Sequence, residues 1–537
     1  MSAGARAARH GATGAQLPAR HAAGAATALL ALLLCSLTPP AANAQVSVQN
    51  LLDFQAGNVP GRDPSNLTQT FDQADIQAFL DHVRFGARFE YDHNSLDRFS
   101  NQAFSQRWLE LTDAGSRVRV GNLFTILGRG LLQRSFTLPG VVLTSEGTAS
   151  RFGFMRDVDG VLVEQQAGPL ALRGLSGRPN AGDISPGVAE EFGIPRYSGQ
   201  LLGGQGALRV VRGASLGAAY TRLDPGTGKT NEYASGFGAL DPLEAFGIQS
   251  VSLPIYAEYA LGQSNLQDWV RFHAGDDRAS ALYASLGLVA GPFGGSAEWK
   301  DYHRFSLGVN DPPSLVREQS FALLNRTTHV LFAQDEEGYQ LEGSWRFDAL
   351  GNVVLNRSRS DGKLSISQPP RRYQETYLEL HAAPGAWTWL DLTLFADGGR
   401  DEFVGIRRRE TYGASARAPG PAAMEFVLDV EHQSTDRTGT TFVDRYASLS
   451  AQHPRWGTAS LLWQHSTDPA EESPSDASSP GVQPRTWWGG SLSTRIGQRH
   501  DVALFAGQRR EGLACTAGTC YKVEALDGVS LRISSRF

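Results

Sequence analysis

Apolar residues recur at every second position along segment after segment of this chain, and charged residues stand between them. In Val529-Ser-Leu-Arg-Ile-Ser-Ser-Arg-Phe537, Val529, Leu531, Ile533 and Phe537 share one face, and Ser530, Arg532, Ser534 and Arg536 share the other. Period two marks a strand, whose successive side chains point to opposite faces. Val83, Phe85, Ala87, Phe89 and Tyr91 enclose Arg84, Arg88 and Glu90; Ile255, Ala257 and Tyr259 enclose Tyr256 and Glu258; Leu390, Leu392 and Leu394 enclose Asp391 and Thr393. Leu341, Trp345 and Phe347 continue the series, followed by Phe426, Leu428 and Val430, by Trp488, Leu492 and Ile496, and by Val502, Leu504 and Ala506. A charge in mid-strand is expected where one face meets lipid and the other a wet interior.

The start of the chain agrees. Arg6, Arg9 and Arg20 form a basic leader, residues 25–37 are apolar, and Ala42-Asn-Ala44 offers a small-residue cleavage site before Gln45. Residues 1–44 therefore read as a secretory signal, its apolar run shorter than the roughly 20 residues of a spanning helix. Leu34 before Cys35 is too large for a lipid-attachment site. Beyond Gln45 no apolar run is long enough for a transmembrane helix. A closed barrel is the other structure that satisfies every backbone group in lipid.

The expected fold is all-β: a single large antiparallel transmembrane β-barrel of about 20–24 strands, given about 9–11 residues per span. No composition break or linker divides the chain. The expected organisation is a signal peptide at 1–44, a short periplasmic lead or first strand at 45–80, and the barrel over 81–537. Turns are expected at Asp113-Ala-Gly115, Asp224-Pro-Gly226, Ala383-Pro-Gly385 and Asp527-Gly528. Long external segments are expected at Arg178–Gly199, Leu223–Gln249, Arg304–Gln319 and Thr467–Thr486, the last too poor in apolar residues to pack.

Without the three arginines of residues 1–44, the balance is 46 basic against 55 acidic residues, net −9. That disfavours nucleic-acid binding. Of the basic residues only Lys229, Lys300, Lys363 and Lys522 are lysine, a skew that codon bias explains as readily as phosphate or carboxylate recognition. Past the leader only Cys515 and Cys520 remain, flanking Thr-Ala-Gly-Thr. In an oxidising compartment a disulfide across this external hairpin tip is the expectation, with a metal or redox pair as the alternative.

Motifs that suggest chemistry dissolve on inspection. Gly213-Ala-Ser-Leu-Gly217 has the spacing of a hydrolase elbow but continues as strand where a helix is needed. Gly226-Thr-Gly-Lys-Thr230 echoes a phosphate loop but has Leu223 at the first glycine position. Histidines are scattered without metal-ligand spacing. No enzyme, cofactor or metal is expected. Arg407-Arg-Arg409 beside Glu410 reads as a solvated strand end that could touch lipopolysaccharide phosphates or narrow a pore. Gly121, Gly128 and Gly130 read as structural glycines, letting the chain bend or approach itself closely at a barrel corner; cradling a ligand is the alternative.

Val120-Gly-Asn-Leu-Phe-Thr-Ile-Leu-Gly-Arg-Gly-Leu-Leu-Gln-Arg134 resembles the Gly-Asn-Phe…Gly-x-Gly-Leu…Arg segment of an uncharacterised family of bacterial outer-membrane barrels known mostly from Bacteroidota. Phe505-Ala-Gly-Gln-Arg-Arg-Glu-Gly-Leu-Ala-Cys515 with Cys520, Gly528 and a terminal Phe resembles that family's closing hairpin. The chain departs from the pattern at Leu123, where the family has an aromatic. The resemblance implies an outer-membrane, porin-like barrel and no established substrate. It also implies that Phe537 is the signal read by the barrel-assembly machinery.

The functional expectation is a porin-like barrel of the bacterial outer membrane, embedded in its lipids and lipopolysaccharide, that passes small polar solutes. Arg84, Arg88, Arg117 and Arg119 are the arginines expected to line the lumen, their field set against acids such as Glu90 and Asp391. The alternative is a non-conducting barrel for assembly, export or surface interaction.

Overall fold

A computed structural model describes residues 45–537 apart from 61–64, 96–100, 136–156, 181–194, 196, 227–229, 265–278, 306–311, 314, 316, 318, 330–334, 348–350, 363–368, 383–388, 470–484, 517–518 and 524. The expected signal at 1–44 lies outside the described residues, as do the expected turn at 383–385 and most of the segment 467–486.

Alternation produces strand after strand. The first five are β1 (Gln45–Asn58), β2 (Asn66–Leu80), β3 (Val83–Asn94), β4 (Asn101–Asp113) and β5 (Ser116–Leu123). Two short pieces, β6 (Ile126–Leu127) and β7 (Gln133–Arg134), pair with each other away from the main sheet. The wall resumes with β8 (Val158–Ala167), β9 (Leu170–Pro179), β10 (Gln200–Val211), β11 (Ala214–Asp224) and β12 (Asn231–Leu240). A one-turn helix α1 (Pro242–Ala245) and the two-residue β13 (Val251–Ser252) precede β14 (Ile255–Ser264), β15 (Ala279–Ala290) and β16 (Phe293–His303). After α2 (Ala322–Arg326) come β17 (Asp335–Arg346), β18 (Gly351–Gly362), β19 (Arg371–Ala382), β20 (Asp391–Asp401) and β21 (Ile406–Pro419). The last group is β22 (Glu425–Arg437), β23 (Thr440–His453), β24 (Gly457–Ser466), β25 (Arg485–Ile496), β26 (His500–Arg509), the small hairpin β27 (Gly512–Thr516) and β28 (Thr519–Val523), and β29 (Leu526–Arg536).

Each spanning strand pairs antiparallel with its neighbours, and β29 pairs with β1 over Gln49↔Arg536 to Asn58↔Asp527, closing a barrel of 24 strands. Residues 45–80, expected as a lead or a first strand, form β1 and β2 and belong to the wall. The start of β1 and the end of β29 lie at one end of the barrel, where Phe537 and Val48 exchange backbone hydrogen bonds of 2.8 and 3.1 Å. The turns at that end are mostly short, as at 81–82, 114–115, 168–169 and 212–213, so it is the periplasmic end and the long connections are external.

The exterior is apolar. Phe85, Leu109, Val120, Val163, Leu288, Leu341, Leu355, Leu378, Leu428, Leu461, Leu504 and Val529 are exposed on the outward face. Aromatic residues gather toward the two ends of this band: Phe293 stacks on Trp345 at the periplasmic side, and Trp463 meets Trp488 at the external side. An apolar belt edged by aromatics around a closed sheet is what a bilayer demands. The protein is an integral membrane β-barrel. No helix among the described residues is long and apolar enough to cross a membrane.

Two expectations about connections need correction. Leu223–Gln249 is not one external loop: β12 occupies Asn231–Leu240, and residues 241–254 that follow are periplasmic. Small residues at Ala234, Gly236 and Gly238 conceal the outward alternation of that strand. Asp527-Gly528 is not a turn but lies inside β29, where a Cβ on Gly528 would stand 2.1 Å from the carbonyl of Ala56. Glycine serves there to let β29 and β1 approach closely at the seam. Ser215 likewise sits in strand β11, so no elbow exists at 213–217.

Candidate functional site

Register assigns each strand residue to the lumen or the lipid. Part of the lumenal face is polar as expected, but from β8 to β16 it is largely apolar, with Leu162, Leu175, Leu201, Ala219, Tyr233, Ala260, Ala281, Tyr283 and Tyr302 all buried. What covers them is the chain itself. After β5 the backbone turns into the bore, and Leu123, Leu127, Leu131 and Leu132 become fully buried against that wall. Each leucine buried this way is worth about 1.5–3 kcal/mol.

The glycines of this segment make the docking possible. Gly128 has φ +58°, and its N–H donates to Gln205 Oε1 at 2.8 Å. The next N–H, from Arg129, donates to Glu258 at 2.9 Å, and the same carboxylate accepts from Ser235 (2.9 Å) and Tyr256 (2.7 Å). Arg173 of β9 donates to the carbonyl of Ile126. Gly121 (φ +97°) lies on β5 itself, where a Cβ would stand 2.2 Å from the carbonyl of Arg107, and Gly130 (φ +97°) closes the turn onto Leu127.

A second inward segment, described over 312–313, 315, 317 and 319–329, crosses to the opposite wall. Its helix α2 presents the N–H groups of Ala322 and Leu323 to the carboxylate of Glu431 on β22, both at 2.8 Å. A carboxylate at a helix start satisfies donors that have no partner inside the helix. Phe321 stacks on Phe395 at 3.8 Å, and Arg317 lies over the ring of Tyr377 at 3.9 Å. Arg409 donates to the carbonyl of Thr327 (2.7 Å) while paired with Glu375 (2.5 Å) and Asp397 (2.9 Å). Arg409 is therefore not a solvated strand end; it is buried and inward, while Arg407 and Arg408 are exposed.

His329 ends this segment. It lies 2.9 Å from Asp401 and 3.5 Å from Glu336, stacked on Tyr373 at 4.3 Å, and Glu336 is itself paired with Lys300 at 2.8 Å. Burial pulls the His329 pKa down, but the bonds to Asp401 and Glu336 outweigh it, and the value is raised above the ordinary 6.5. The hairpin β27–β28 packs on α2, with Gly512 beside Arg326. Its backbone register sets Cys515 opposite Cys520, whose side chains lie outside the described residues.

The wall from β3 to β9 carries a different arrangement. Arg84, Arg117 and Arg119 converge on Glu110 at 3.9, 2.8 and 3.6 Å. Arg117 and Arg173 share Glu164 at 2.8 and 2.5 Å. Four guanidinium groups thus meet two carboxylates, and the side chains of Arg84, Arg117 and Arg173 remain 50, 36 and 32% exposed. Arg119 stacks over Trp108 at 4.2 Å.

By register all six lumen candidates from the sequence face inward, but only Arg84, Arg117 and Arg119 join this cluster. Arg88 is buried against Asp75 at 2.7 Å, and Glu90 is buried further along β3. Asp391 stands on β20 beside His381 at 2.8 Å. Sequence reading missed Glu110, Glu164 and Arg173, which sit at the same alternating positions as the residues it chose. Among the described residues no group of three or more His, Cys, Asp or Glu is arranged to hold a metal.

No family model and no curated protein matches the chain. Among solved structures, Pseudomonas aeruginosa OpdO is 14% identical, with 73% of this chain and 97% of that one covered and a TM-score of 0.41. The translocation pore of the P pilus usher PapC is 8% identical over 92% of this chain and 99% of its own, with a TM-score of 0.45. A BenF-like porin from Pseudomonas fluorescens Pf-5 is 11% identical over 74% and 99%, with a TM-score of 0.38.

Proposed function

We propose that this barrel passes small polar solutes across the outer membrane and favours anions. The observation that carries the reading is the arginine wall: Arg84, Arg117, Arg119 and Arg173 against Glu110 and Glu164, in part open to water. Charged linings of one dominant sign bias which ions enter a pore. The test is the reversal potential of the refolded protein in a planar bilayer under a potassium chloride gradient. The triple change Arg84→Ser, Arg117→Ser, Arg173→Ser is expected to move it toward the cation-selective side; an unchanged potential rejects the assignment.

A second reading is favoured by the two inward segments, whose buried leucines and hydrogen bonds dock them on the inner wall: a non-conducting barrel for assembly, export or surface interaction. Absence of conductance steps from a protein shown to be folded would support it over the first. In either case the exposure of Phe537, 56% at the closing seam, supports reading it as the signal for the assembly machinery.

A further inference from the structure

The two inward segments leave one side of the bore uncovered. The first docks on β8 to β16 and the second on β19 to β22, and from β11 to β22 inward residues such as Ala281, Asn356, Tyr377 and Thr411 are fully buried. On β24, β25 and β26, further around the wall, the only buried inward residue among those described is Ser466 at the external rim. On β29, Ser530 and Ser534 are half-buried and Arg532 is exposed. Water therefore reaches the inner wall along these strands.

The lining of this side is hydroxyl, not charge. Two inward rows cross β23, β24 and β25 in register: Ser450, Ser460 and Ser491, then Gln452, Thr458 and Ser493. Between the rim row of Asp444, Ser466 and Arg485 and the periplasmic Arg495, no inward residue of these three strands is charged. The charges that border the rows are held: Asp444 by Arg510 at 2.8 Å, Arg495 by Asp501 at 2.7 Å, Arg532 by Asp53 at 2.6 Å, and Asp429 accepts from Ser448 at 2.8 Å. Ser450 and Ser460 bond each other at 2.8 Å, whereas among the described residues the hydroxyls of Thr458, Ser491, Ser493 and Ser530 have no partner. A hydroxyl both donates and accepts. A grid of them about 4.8 Å apart across the strands is spaced like the hydroxyls on alternate carbons of a sugar ring. Phe505, half-buried, stands between Ser491 and Ser530 in register and offers an aromatic surface to the C–H groups of such a ring.

We propose that a neutral sugar crosses in contact with this lane, its hydroxyls exchanging water for Ser460, Ser491 and Ser493 and its C–H face meeting Phe505. The inference rests on the reading of an open, solute-passing barrel, and not on its preference for anions, which belongs to the arginines of β3 to β9. Neutral hydrogen bonds at a wet surface are individually weak, and a solute in transit must leave each site as readily as it enters. A charged solute would give up hydration along these rows for no counter-charge, and a solute without hydroxyls would leave the grid bonded to water alone.

The experiment is ion-current recording of the refolded full chain in a planar bilayer, with glucose added to one side. The wild type is expected to show current noise that rises with glucose and saturates. Ser460→Ala, Ser491→Ala and Ser493→Ala together are expected to raise the half-saturating glucose concentration about tenfold, with the reversal potential in potassium chloride unchanged. Arg84→Ser, Arg117→Ser and Arg173→Ser together are expected to do the opposite, moving the reversal potential and leaving the glucose effect. A methyl-capped ether of matched size, which offers no hydroxyl, is expected to add no saturable noise. A conducting wild type without a glucose effect overturns this proposal alone, as does an equal effect of the ether or an equal response from the triple serine variant. A folded protein without conductance overturns it together with the reading it rests on. Migration of the unheated protein on a denaturing gel verifies that each variant is a folded barrel.

Discussion

Gly128→Ala should loosen the segment that folds into the bore after β5. At φ +58° a residue with a Cβ costs about 1–2 kcal/mol. The added carbon would also stand 2.4 Å from both carboxylate oxygens of Glu258, so the carboxylate or the backbone must move. Either movement strains the bond from Arg129 N–H to Glu258, and hydrogen bonds to charged groups are worth about 1.5–3 kcal/mol. Together the change weakens docking by roughly 3 kcal/mol or more, about a hundredfold in the equilibrium between docked and released segment. The four buried leucines oppose release, so the expected effect is a larger fraction of time released, not permanent opening. In single-channel records this appears as frequent upward conductance steps, and for a protein without conductance as trypsin cleavage after Arg129 or Arg134. Gly168→Ala is the control: Gly168 has φ +59° in a periplasmic turn with nothing within 4 Å of its added carbon, so it carries the backbone strain without the clash. Folded Gly128→Ala that behaves like Gly168→Ala in both assays would refute the docking argument.

Lys300→Met should destabilise the barrel by about 3–5 kcal/mol, because it leaves Glu336 charged in a site where both side chains have no exposure; the gel-shift temperature reads this, and Lys300→Met with Glu336→Gln should recover part of the loss. The pKa of His329 is raised on docking of its segment, so the added stability is fully present below the free value of 6.5 and is lost as pH rises through the raised value. Openings are therefore expected to increase toward alkaline pH, and His329→Gln to flatten that profile; an identical profile in the variant removes His329 from the latch. Cys515 and Cys520, opposite in register, are expected to resist alkylation until a reductant is added; labelling of both without reductant excludes the pairing.

The wall was legible because period two is a local signal that survives without knowledge of neighbours. Val529, Leu531 and Ile533 face outward, Ser530 and Arg532 inward, as their alternation requires. It failed where glycine or alanine stands at the informative positions, as in β12, and where Asp527-Gly528 imitates a turn inside a strand. The inward segments were illegible for another reason. Their apolar residues, Leu123, Leu127, Leu131 and Leu132 in one and Leu315, Leu323 and Leu324 in the other, are buried by residues more than a hundred positions distant or by several strands at once. A usable signal existed: leucines in a long external connection have no reason to face water. The arginine cluster was half legible, since alternation says which residues face inward but not which of them share a level across β3, β4, β5, β8 and β9.

Inward acids in this barrel divide into two kinds, and the division changes how the lumen's field should be read. Glu258 and Glu431 accept backbone N–H groups of the inward segments, while Glu336, Glu375 and Asp397 hold Lys300 and Arg409. Those acids are spent on attachment: buried and matched locally, they present little field to a passing solute, because a charge and its close partner cancel at a distance. Facing water are the group on β3 to β9, where arginine outnumbers glutamate and the side chains are partly exposed, and one-to-one pairs elsewhere such as Arg532–Asp53 and Arg495–Asp501, whose charges cancel. A sum over all inward charges would therefore mistake the anchors for the pore lining. Arg88 and Glu90, although adjacent to the cluster in sequence, are buried, so exchanging them should disturb folding more than selectivity, whereas Arg117 and Arg173 can be exchanged with the wall intact and the field altered.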